Sequence, residues 1–221
     1  LGAGPGMNLF LAIVLFTILF MVPREIPVTN VVVGGIVPNS PAAEALLKPG
    51  DILREIGGRS IDNSSDLRTA IQVNLGNEIP WVVQRNERLL QTRLIPRMNP
   101  PEGEPAVGLY GIVDARVTIS QINQGSTAES VGIAPSDLLL SVDNQMILNK
   151  KDVHQIIGST REENPNTIIP LSVLRRGEIL ELKIPPAIES LNGVQFSVIP
   201  EELRSQTLFK ALSSSFDQIW D

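Results

Sequence analysis

The chain opens with an unbroken apolar stretch. Residues 1–22 carry no charged side chain, and residues 7–22 are apolar apart from Asn8 and Thr17. A helix needs about 20 such residues to cross a bilayer, so the pattern predicts a transmembrane helix over residues 1–23. A secretory signal peptide is the alternative, although the basic start and small-residue cleavage site that it would need are not visible.

The rest of the chain repeats itself. Residues 36–71 align without a gap to residues 122–157 at a constant offset of 86, and 81–96 then align to 171–186. Apolar positions match throughout the alignment, which indicates two copies of one structural unit. The identical pairs of the first block are Ile36/Ile122, Ser40/Ser126, Ala42/Ala128, Pro49/Pro135, Asp51/Asp137, Leu53/Leu139, Ile61/Ile147, Asn63/Asn149, Asp66/Asp152 and Ile71/Ile157.

Both copies show the same order of predicted elements. An apolar β-type run leads into a short helix, a turn with Pro and Asp, and a second strand. A main helix follows, over 64–73 and 150–157, each preceded by an Asn cap, and two more strands complete the copy. The sequence therefore predicts two small α+β domains, over 28–98 and 107–187, joined by a Pro-rich linker at 99–106.

The C-terminal residues 201–221 carry a helical pattern. Apolar side chains recur at helical spacing, and aromatic residues add to them: Leu208, Phe209, Leu212, Phe216, Ile219 and Trp220. Such a segment can lie in the plane of a membrane interface, with Trp at headgroup depth. An ordinary helix packing on the preceding domain is the alternative.

Composition narrows the chemistry. The net charge of −6 argues against a nucleic-acid surface, which would need a basic stripe. The absence of Cys excludes thiolate zinc sites and Cys nucleophiles, and the single histidine, His154, excludes a metal site built on a pair of histidines. We therefore expect no catalytic residue and no metal ligand in this chain. Because its first residue is Leu1 rather than Met, we also expect it to be a piece of a longer protein.

The repeated segments resemble a known domain family. Residues 40–61 read S-P-A-A-x-A-L-L-K-P-G-D-I-L-x-x-I-G-G-R-S-I, and residues 126–147 read S-T-A-E-S-V-G-I-A-P-S-D-L-L-L-S-V-D-N-Q-M-I. Both are similar to the bacterial, circularly permuted type of PDZ domain. The second copy departs from that family at Ser136, where Gly is usual. The resemblance implies small β-barrels with two helices each, which bind extended peptides, often C-termini, by strand addition beside the main helix.

The resemblance also implies a peptide site in the second copy. Its carboxylate-binding loop is predicted at Gly108, Leu109, Tyr110 and Gly111. The groove would lie between the strand that follows this loop and a helix that bears Val153, His154 and Ile157. Two alternatives stay open: His154 is a half-exposed helical residue without a role, and Val153 and Ile157, spaced four apart, belong to the core.

The start of the chain resembles a second family. The stretch Gly2-Ala3-Gly4-Pro5-x-x-Asn8, followed by two PDZ-like units, is similar to site-2 proteases, the intramembrane zinc metalloproteases. In that family a GPxxN helix lies beside the catalytic helices, so the resemblance places Pro5 and Asn8 near an active site. The zinc ligands, an HExxH motif and a downstream Asp, are not in this chain. Taken alone, it should therefore be inactive.

The resemblance implies a role and a location. The PDZ pair would stand outside the cytoplasm, above the membrane core of a bacterial inner-membrane enzyme. It would gate regulated intramembrane proteolysis by excluding intact substrates, with a transmembrane substrate protein or a peptide C-terminus and the lipid bilayer as partners. A membrane-anchored tandem-PDZ adaptor without chemistry is the alternative, because it would show the same visible features.

Overall fold

The computed structural model describes residues 3–21, 24–26, 28–200 and 202–204. The described residues fall into two compact units. One comprises residues 1–27 with 200–221, and the other comprises residues 28–199. Each unit is described by itself below.

The first unit begins with a helix, α1 (Ala3–Met21), and a short strand, β1 (Arg24–Ile26). A helix is therefore found where the apolar run predicts one. Within the residues that the structure describes, no helix combines the length and the apolar character that crossing a membrane requires. The predicted transmembrane span over 1–23 is thus not found in these ranges.

The second unit begins with the elements of the first copy. The strands are β2 (Asn30–Val32), β3 (Gly35–Ile36), β4 (Ile52–Ile56), β5 (Arg59–Ser60), β6 (Ile79–Arg85), β7 (Arg88–Leu94), β8 (Leu109–Tyr110) and β9 (Val113–Ala115). The helices are α2 (Pro41–Glu44) and α3 (Ser64–Gln72). Ser40 and Asn63 cap these helices, since their side chains accept hydrogen bonds from the backbone N–H groups of Ala43 and Asp66.

The main sheet of this copy runs in the order β7-β6-β4-β2-β9, and β8 pairs separately with β3. All the pairings are antiparallel. Alternate residues of β6 face the core, and Trp81 in its middle is fully buried. The inner face packs on Leu67 and Ala70 of α3. One continuous core results, as period-2 strands and an amphipathic helix require.

The edge strands β8 and β9 differ from the predicted domain boundary. Residues 109–115 lie inside the predicted second domain, 107–187, yet β9 pairs with β2 and β8 pairs with β3 of the first copy. Val107 and Leu109 are buried in the first copy's core. The first copy therefore comprises residues 28–115, and we call it the first repeat.

The predicted linker at 99–106 is a closed loop of the first repeat. The backbone N–H of Arg97 donates to the carbonyl of Ala106 at 2.9 Å, which joins the two ends of the loop. The Arg97 guanidinium also pairs with Glu104 at 2.8 Å and donates to the carbonyl of Pro105 at 3.0 Å. The segment spans one edge of the first repeat and does not separate two domains.

The second repeat, residues 116–199, follows the same plan. Its strands are β10 (Val117–Ile122), β11 (Leu138–Val142), β12 (Gln145–Met146), β13 (Ile169–Arg175), β14 (Glu178–Ile184) and β15 (Val194–Val198), and its helices are α4 (Thr127–Val131) and α5 (Lys150–Glu163). The sheet order is β14-β13-β11-β10-β15. Here β15 takes the place that β8 and β9 fill in the first repeat. Each repeat is thus completed by a strand that follows its final hairpin.

Two identical positions of the repeat form the same buried ion pair twice. Asp51 and Asp137 are fully buried, and each receives two hydrogen bonds from one guanidinium, that of Arg85 or Arg175, at 2.6 to 2.7 Å. These hydrogen bonds to a carboxylate raise the pKa of Arg85 and of Arg175. The same carboxylates cap the turns before β4 and β11, since they accept from the N–H groups of Lys48 and Ala134 at 2.9 and 2.8 Å.

A third apolar cluster joins the two repeats. Its buried members come from the outer faces of both sheets: Val32 and Ala115 from the first, and Leu138, Leu140 and Leu174 from the second. A single residue, Arg116, separates β9 from β10. The two repeats therefore share a packed interface and have no linker between them.

The chain returns to the first unit after the second repeat. Residues 202–204 form β16 (Glu202–Arg204), which pairs antiparallel with β1. The predicted amphipathic helix over 201–221 is therefore wrong at these three residues, since they pair as a strand. The rest of that prediction, residues 205–221 with the apolar pattern, lies outside the described residues.

Candidate functional site

The predicted carboxylate-binding loop, Gly108 to Gly111, lies in the first repeat. The N–H of Val37 donates to the carbonyl of Gly108 at 2.8 Å, and that of Ala42 donates to the carbonyl of Val107 at 2.9 Å. Gly108 has a φ of 81°, and a Cβ added there would lie 2.1 Å from the Cβ of Ser40. Only glycine fits this close approach to the start of α2. The loop therefore stands beside α2 of the first repeat, whereas His154 lies on α5 of the second.

The second repeat has its own loop, which the sequence reasoning missed. The N–H of Asn123 donates to the carbonyl of Gly193 at 2.7 Å, and that of Ala128 donates to the carbonyl of Asn192 at 3.4 Å. Gly193 repeats the positive φ, at 72°, and its added Cβ would lie 2.4 Å from the Cβ of Ser126. An alignment continued past residue 186 with an offset of 85 would have found this loop.

The predicted groove of the second repeat would lie between β15 and α5. β15 ends the path of its sheet, so its outer edge has no strand partner among the described residues. The ring of Phe196 on β15 meets the ring of His154 on α5, with centroids 6.1 Å apart and planes at 82°. His154 is exposed, whereas Val153 and Ile157 are fully buried in the core. Of the three predicted helix residues, His154 alone faces the groove.

The groove of the first repeat is fastened at one end. The carboxylate of Asp114, on β9, accepts hydrogen bonds from the backbone N–H of Ser64 at 2.8 Å and from its hydroxyl at 2.7 Å. Thr29 donates to the same carboxylate at 3.2 Å. These bonds tie β9 to the first turn of α3. Asp114 pairs with Val31, and the matching residue of the second repeat is Val198, which pairs with Val117 and cannot make such a bond.

The two residues that are predicted to lie near an active site both belong to the N-terminal helix. Pro5 and Asn8 lie within α1, and their side chains are outside the described part of the structure. Among the residues that are described, no group of three or more His, Asp or Glu side chains is arranged to hold a metal ion. The described residues therefore do not by themselves form a zinc site.

Comparison with known proteins finds one matching family model and several similar proteins. A family model described as PDZ domain matches residues 32–85. The chain is 25% identical over 243 aligned residues to the regulator of sigma-E protease RseP of Salmonella typhimurium, a match that covers all of this chain and 52% of that protein. It is 34% identical over 94 residues to the zinc metalloprotease RasP of Oceanobacillus iheyensis, covering 42% of this chain and 22% of the relative.

Two further matches come from a curated relative and from a solved structure. The regulator of sigma-W protease RasP of Bacillus subtilis is 30% identical over 111 residues, covering 50% of this chain and 26% of the relative. A crystal structure of the PDZ domain of an SdrC-like protein from Listeria monocytogenes is 20% identical, with a TM-score of 0.34, and the match covers 41% of this chain and 94% of that one. The chain spans about half the length of the relative that it matches throughout. The chain is thus a homologue of proteins named RseP and RasP, in agreement with the site-2 protease family that its motifs resemble, and it carries a match to a PDZ domain model.

Proposed function

We propose that this chain is the substrate-gating, peptide-recognition segment of an intramembrane zinc metalloprotease that performs regulated intramembrane proteolysis. The observation that carries the proposal is a groove with an unpaired strand edge, β15, beside a helix that presents His154, in a homologue of RseP. Both repeats are PDZ domains in this proposal. The family model supports the first, and the matching order of elements supports the second.

The ligand is the C-terminus of a peptide or of a cleaved transmembrane substrate. An extended peptide would add to the free edge of β15, so that backbone hydrogen bonds give affinity and side-chain pockets give selectivity. Its carboxylate would meet the backbone N–H groups of the loop at Gly193. Phe196 and His154 would contact the side chains of the peptide. We assign binding to the second repeat because Asp114 fastens the groove of the first.

The parent protein supplies the chemistry. Its zinc would be held by residues outside this chain, and the chain alone would have no proteolytic activity. The parent would be an integral protein of the bacterial inner membrane, anchored in part by the apolar residues 7–22, with the two repeats outside the cytoplasm. This part of the proposal rests on the resemblance of the GPxxN segment, including Pro5 and Asn8, to the site-2 protease family.

Peptide binding tests the groove. The full chain would be titrated with a fluorescent peptide that ends in an apolar residue with a free carboxylate, and fluorescence anisotropy would be measured. We expect His154→Ala to weaken binding by about tenfold, the loss of one well-placed contact, and amidation of the peptide's C-terminus to weaken it as well. Arg68→Ala is the matched control, because Arg68 is exposed on α3 at the position equivalent to His154.

Two outcomes would contradict this assignment. Equal binding of the amidated peptide would exclude carboxylate capture, and an equal effect of Arg68→Ala would place the peptide elsewhere. The proteolytic part has a separate test in the coding DNA on both sides of this segment. An upstream HExxH inside an apolar helix and a downstream Asp in another would support it, whereas their absence would leave a membrane-anchored tandem-PDZ adaptor.

Gating is tested in the parent enzyme. Deletion of residues 28–199 should let the enzyme cut substrates that still carry their extracytoplasmic domains, because the segment that excludes them is gone. Cleavage would be followed by gel electrophoresis, with an already shortened substrate as the control. Continued resistance of the intact substrate, alongside normal cutting of the shortened one, would contradict the gating role.

A further inference from the structure

A cleft opens between the two repeats at one end of their shared apolar cluster. Residues of both sheets and of the turns beside them line a cavity of about 1020 Å³. Its walls come from β4, β6 and the turn after β6 in the first repeat, and from β10, β11, β13 and the turn after β13 in the second. The cleft is separate from the groove between β15 and α5. It is formed by the docking of the repeats and would exist in neither repeat alone.

Arg54 lies in the wall of this cleft, and no described carboxylate pairs with its charge. Its Nε and Nη2 donate to Oε1 of Gln84 at 2.9 and 2.7 Å. Across the described part of the chain, Arg54 makes no ion pair with a carboxylate, unlike Arg85 and Arg175. Partial burial lowers the pKa of Arg54, because a guanidinium loses hydration there without a compensating negative charge.

The second repeat shows that the fold does not require this cation. The residues equivalent to Arg54 and Gln84 are Leu140 and Leu174. Both leucines are buried in the cluster that joins the repeats. The same position on the same sheet face thus packs well with an apolar side chain. A cation with a neutral polar partner in one repeat, where two leucines serve in the other, indicates a role apart from packing.

The charges that line the cleft leave an excess of one positive charge, because Arg54 and Arg176 are opposed by Glu87 alone once Arg175 is paired with Asp137. Arg176 stands in the opposite wall, on the turn after β13, and Glu87 is the acidic residue of the lining. Arg175 lines the cleft as well, but its charge is balanced by Asp137. The chain as a whole carries a net charge of −6. The cleft is therefore a locally positive site on an acidic protein, and it favours an anion.

The remaining lining suits a peptide. Asn30 and Thr118 offer side-chain groups that can hydrogen-bond a backbone, and Ile52 and Leu138 give an apolar floor. The planar guanidinium of Arg54 is already held in place by its two hydrogen bonds to Gln84. A fixed guanidinium matches the geometry of a carboxylate.

We propose that the cleft between the repeats binds an extended acidic peptide segment, with Arg54 pairing a side-chain carboxylate of that segment and Arg176 facing it from the other wall. This site is independent of the peptide groove beside His154. It recognises internal acidic residues, whereas the groove would recognise a chain end. A substrate or partner could occupy both at once.

The test uses the full chain and a short, fluorescein-labelled peptide rich in Glu, acetylated and amidated so that it carries no terminal charge. Anisotropy would be compared with that of the same peptide in which every Glu is Gln. We expect the acidic peptide to bind and the Gln peptide to bind at least about tenfold more weakly, as loss of a charge-assisted hydrogen bond implies. Rising salt should weaken the binding of the acidic peptide.

Arg54→Leu is the decisive variant, because Leu140 shows that the fold accepts leucine at this position. This variant should keep the midpoint of thermal unfolding or raise it. It should weaken binding of the acidic peptide by at least about tenfold. Arg54→Lys should give an intermediate loss, since the charge remains without the planar fork. His154→Ala, in the other groove, should leave this binding unchanged.

Three results would overturn the proposal. Undiminished binding of the acidic peptide to Arg54→Leu would show that Arg54 does not contribute to binding. Equal binding of the Gln peptide would show that the site does not recognise a side-chain carboxylate. Displacement of the peptide by succinate at the same concentration of carboxylate groups would show a site for small anions and not for a peptide.

Discussion

Asp137→Asn should destabilise the second repeat strongly, although the substitution keeps the shape of the side chain. The carboxylate of Asp137 is fully buried and receives three hydrogen bonds: two from Arg175 at 2.7 Å and one from the N–H of Ala134 at 2.8 Å. An Asn amide would remove the charge and turn one N–H donor toward the guanidinium. Breaking such a buried pair costs about 3–5 kcal/mol.

The expected loss lies toward the lower part of that range. The Arg175 side chain is 31% exposed, so water can hydrate the guanidinium once its partner is neutral. We therefore expect the free energy of unfolding to fall by about 3 kcal/mol. Asp51→Asn should have a similar effect, because Arg85 binds Asp51 in the same way. Glu78→Gln is the control for a surface pair, and since Arg93 and Glu78 are 70% and 56% exposed, it should change stability by less than about 1 kcal/mol.

Urea unfolding measures the effect and tests the docking of the repeats at the same time. In a Trp220→Phe background, Trp81 is the remaining tryptophan, and it is fully buried in the first repeat. Circular dichroism reports on both repeats. Because the repeats share a packed cluster, they should unfold together. In the Asp137→Asn variant, the urea midpoint measured by Trp81 fluorescence should therefore fall as far as the midpoint measured by circular dichroism, although Asp137 is in the other repeat.

Two results would refute this reasoning. A folded Asp137→Asn protein within about 1 kcal/mol of the parent chain would show that the buried pair contributes little. An unmoved Trp81 transition beside a shifted dichroism transition would show that the repeats unfold separately.

Four further substitutions have expected outcomes, each measured by urea unfolding. Gly108→Ala should destabilise by about 2–3 kcal/mol, because its Cβ would clash with Ser40, whereas Gly103→Ala, with a φ of 79° and open space around it, should cost only about 1 kcal/mol. Ser136→Gly should stabilise by about 0.5–1 kcal/mol, since Ser136 holds a φ of 70° that glycine adopts freely; an unchanged or lower stability would contradict this. Leu140→Ala should cost about 2–4 kcal/mol and should separate the transitions of the two repeats, and a single sharp transition would argue against the role of the shared cluster.

The repeat in the sequence anticipated most of the fold, for a physical reason. Identical residues at fixed offset mark positions that backbone geometry or burial constrains. Asp51 and Asp137 are identical because each closes a turn and, fully buried itself, pairs with a partly exposed arginine. Asn63 precedes a helix because it caps one. Such local interactions leave a readable pattern in the sequence, and the elements built on them are found where they were predicted.

The assignment of residues 107–115 failed for the opposite reason. A strand's own sequence shows that it is a strand but does not show which sheet edge it joins, because its hydrogen bonds go to residues far away along the chain. The loop at Gly108 was therefore attached to the repeat that follows it, although it completes the one before. The prediction for His154 was made without that information. Its place opposite Phe196 comes from a strand that the repeat alignment did not reach.

The closing strand of each repeat has a genetic consequence. A duplication or deletion that respects the sequence motif, ending near residue 98, would strip the first repeat of β8 and β9 and leave the edge of β2 open. An open, apolar edge invites pairing between molecules. A cut at Arg116, by contrast, leaves both sheets complete. Inherited copies of the repeat should therefore begin and end beside Arg116, after the closing strand. They should not begin or end at the Pro-rich segment 99–106, which the sequence suggests as a domain boundary.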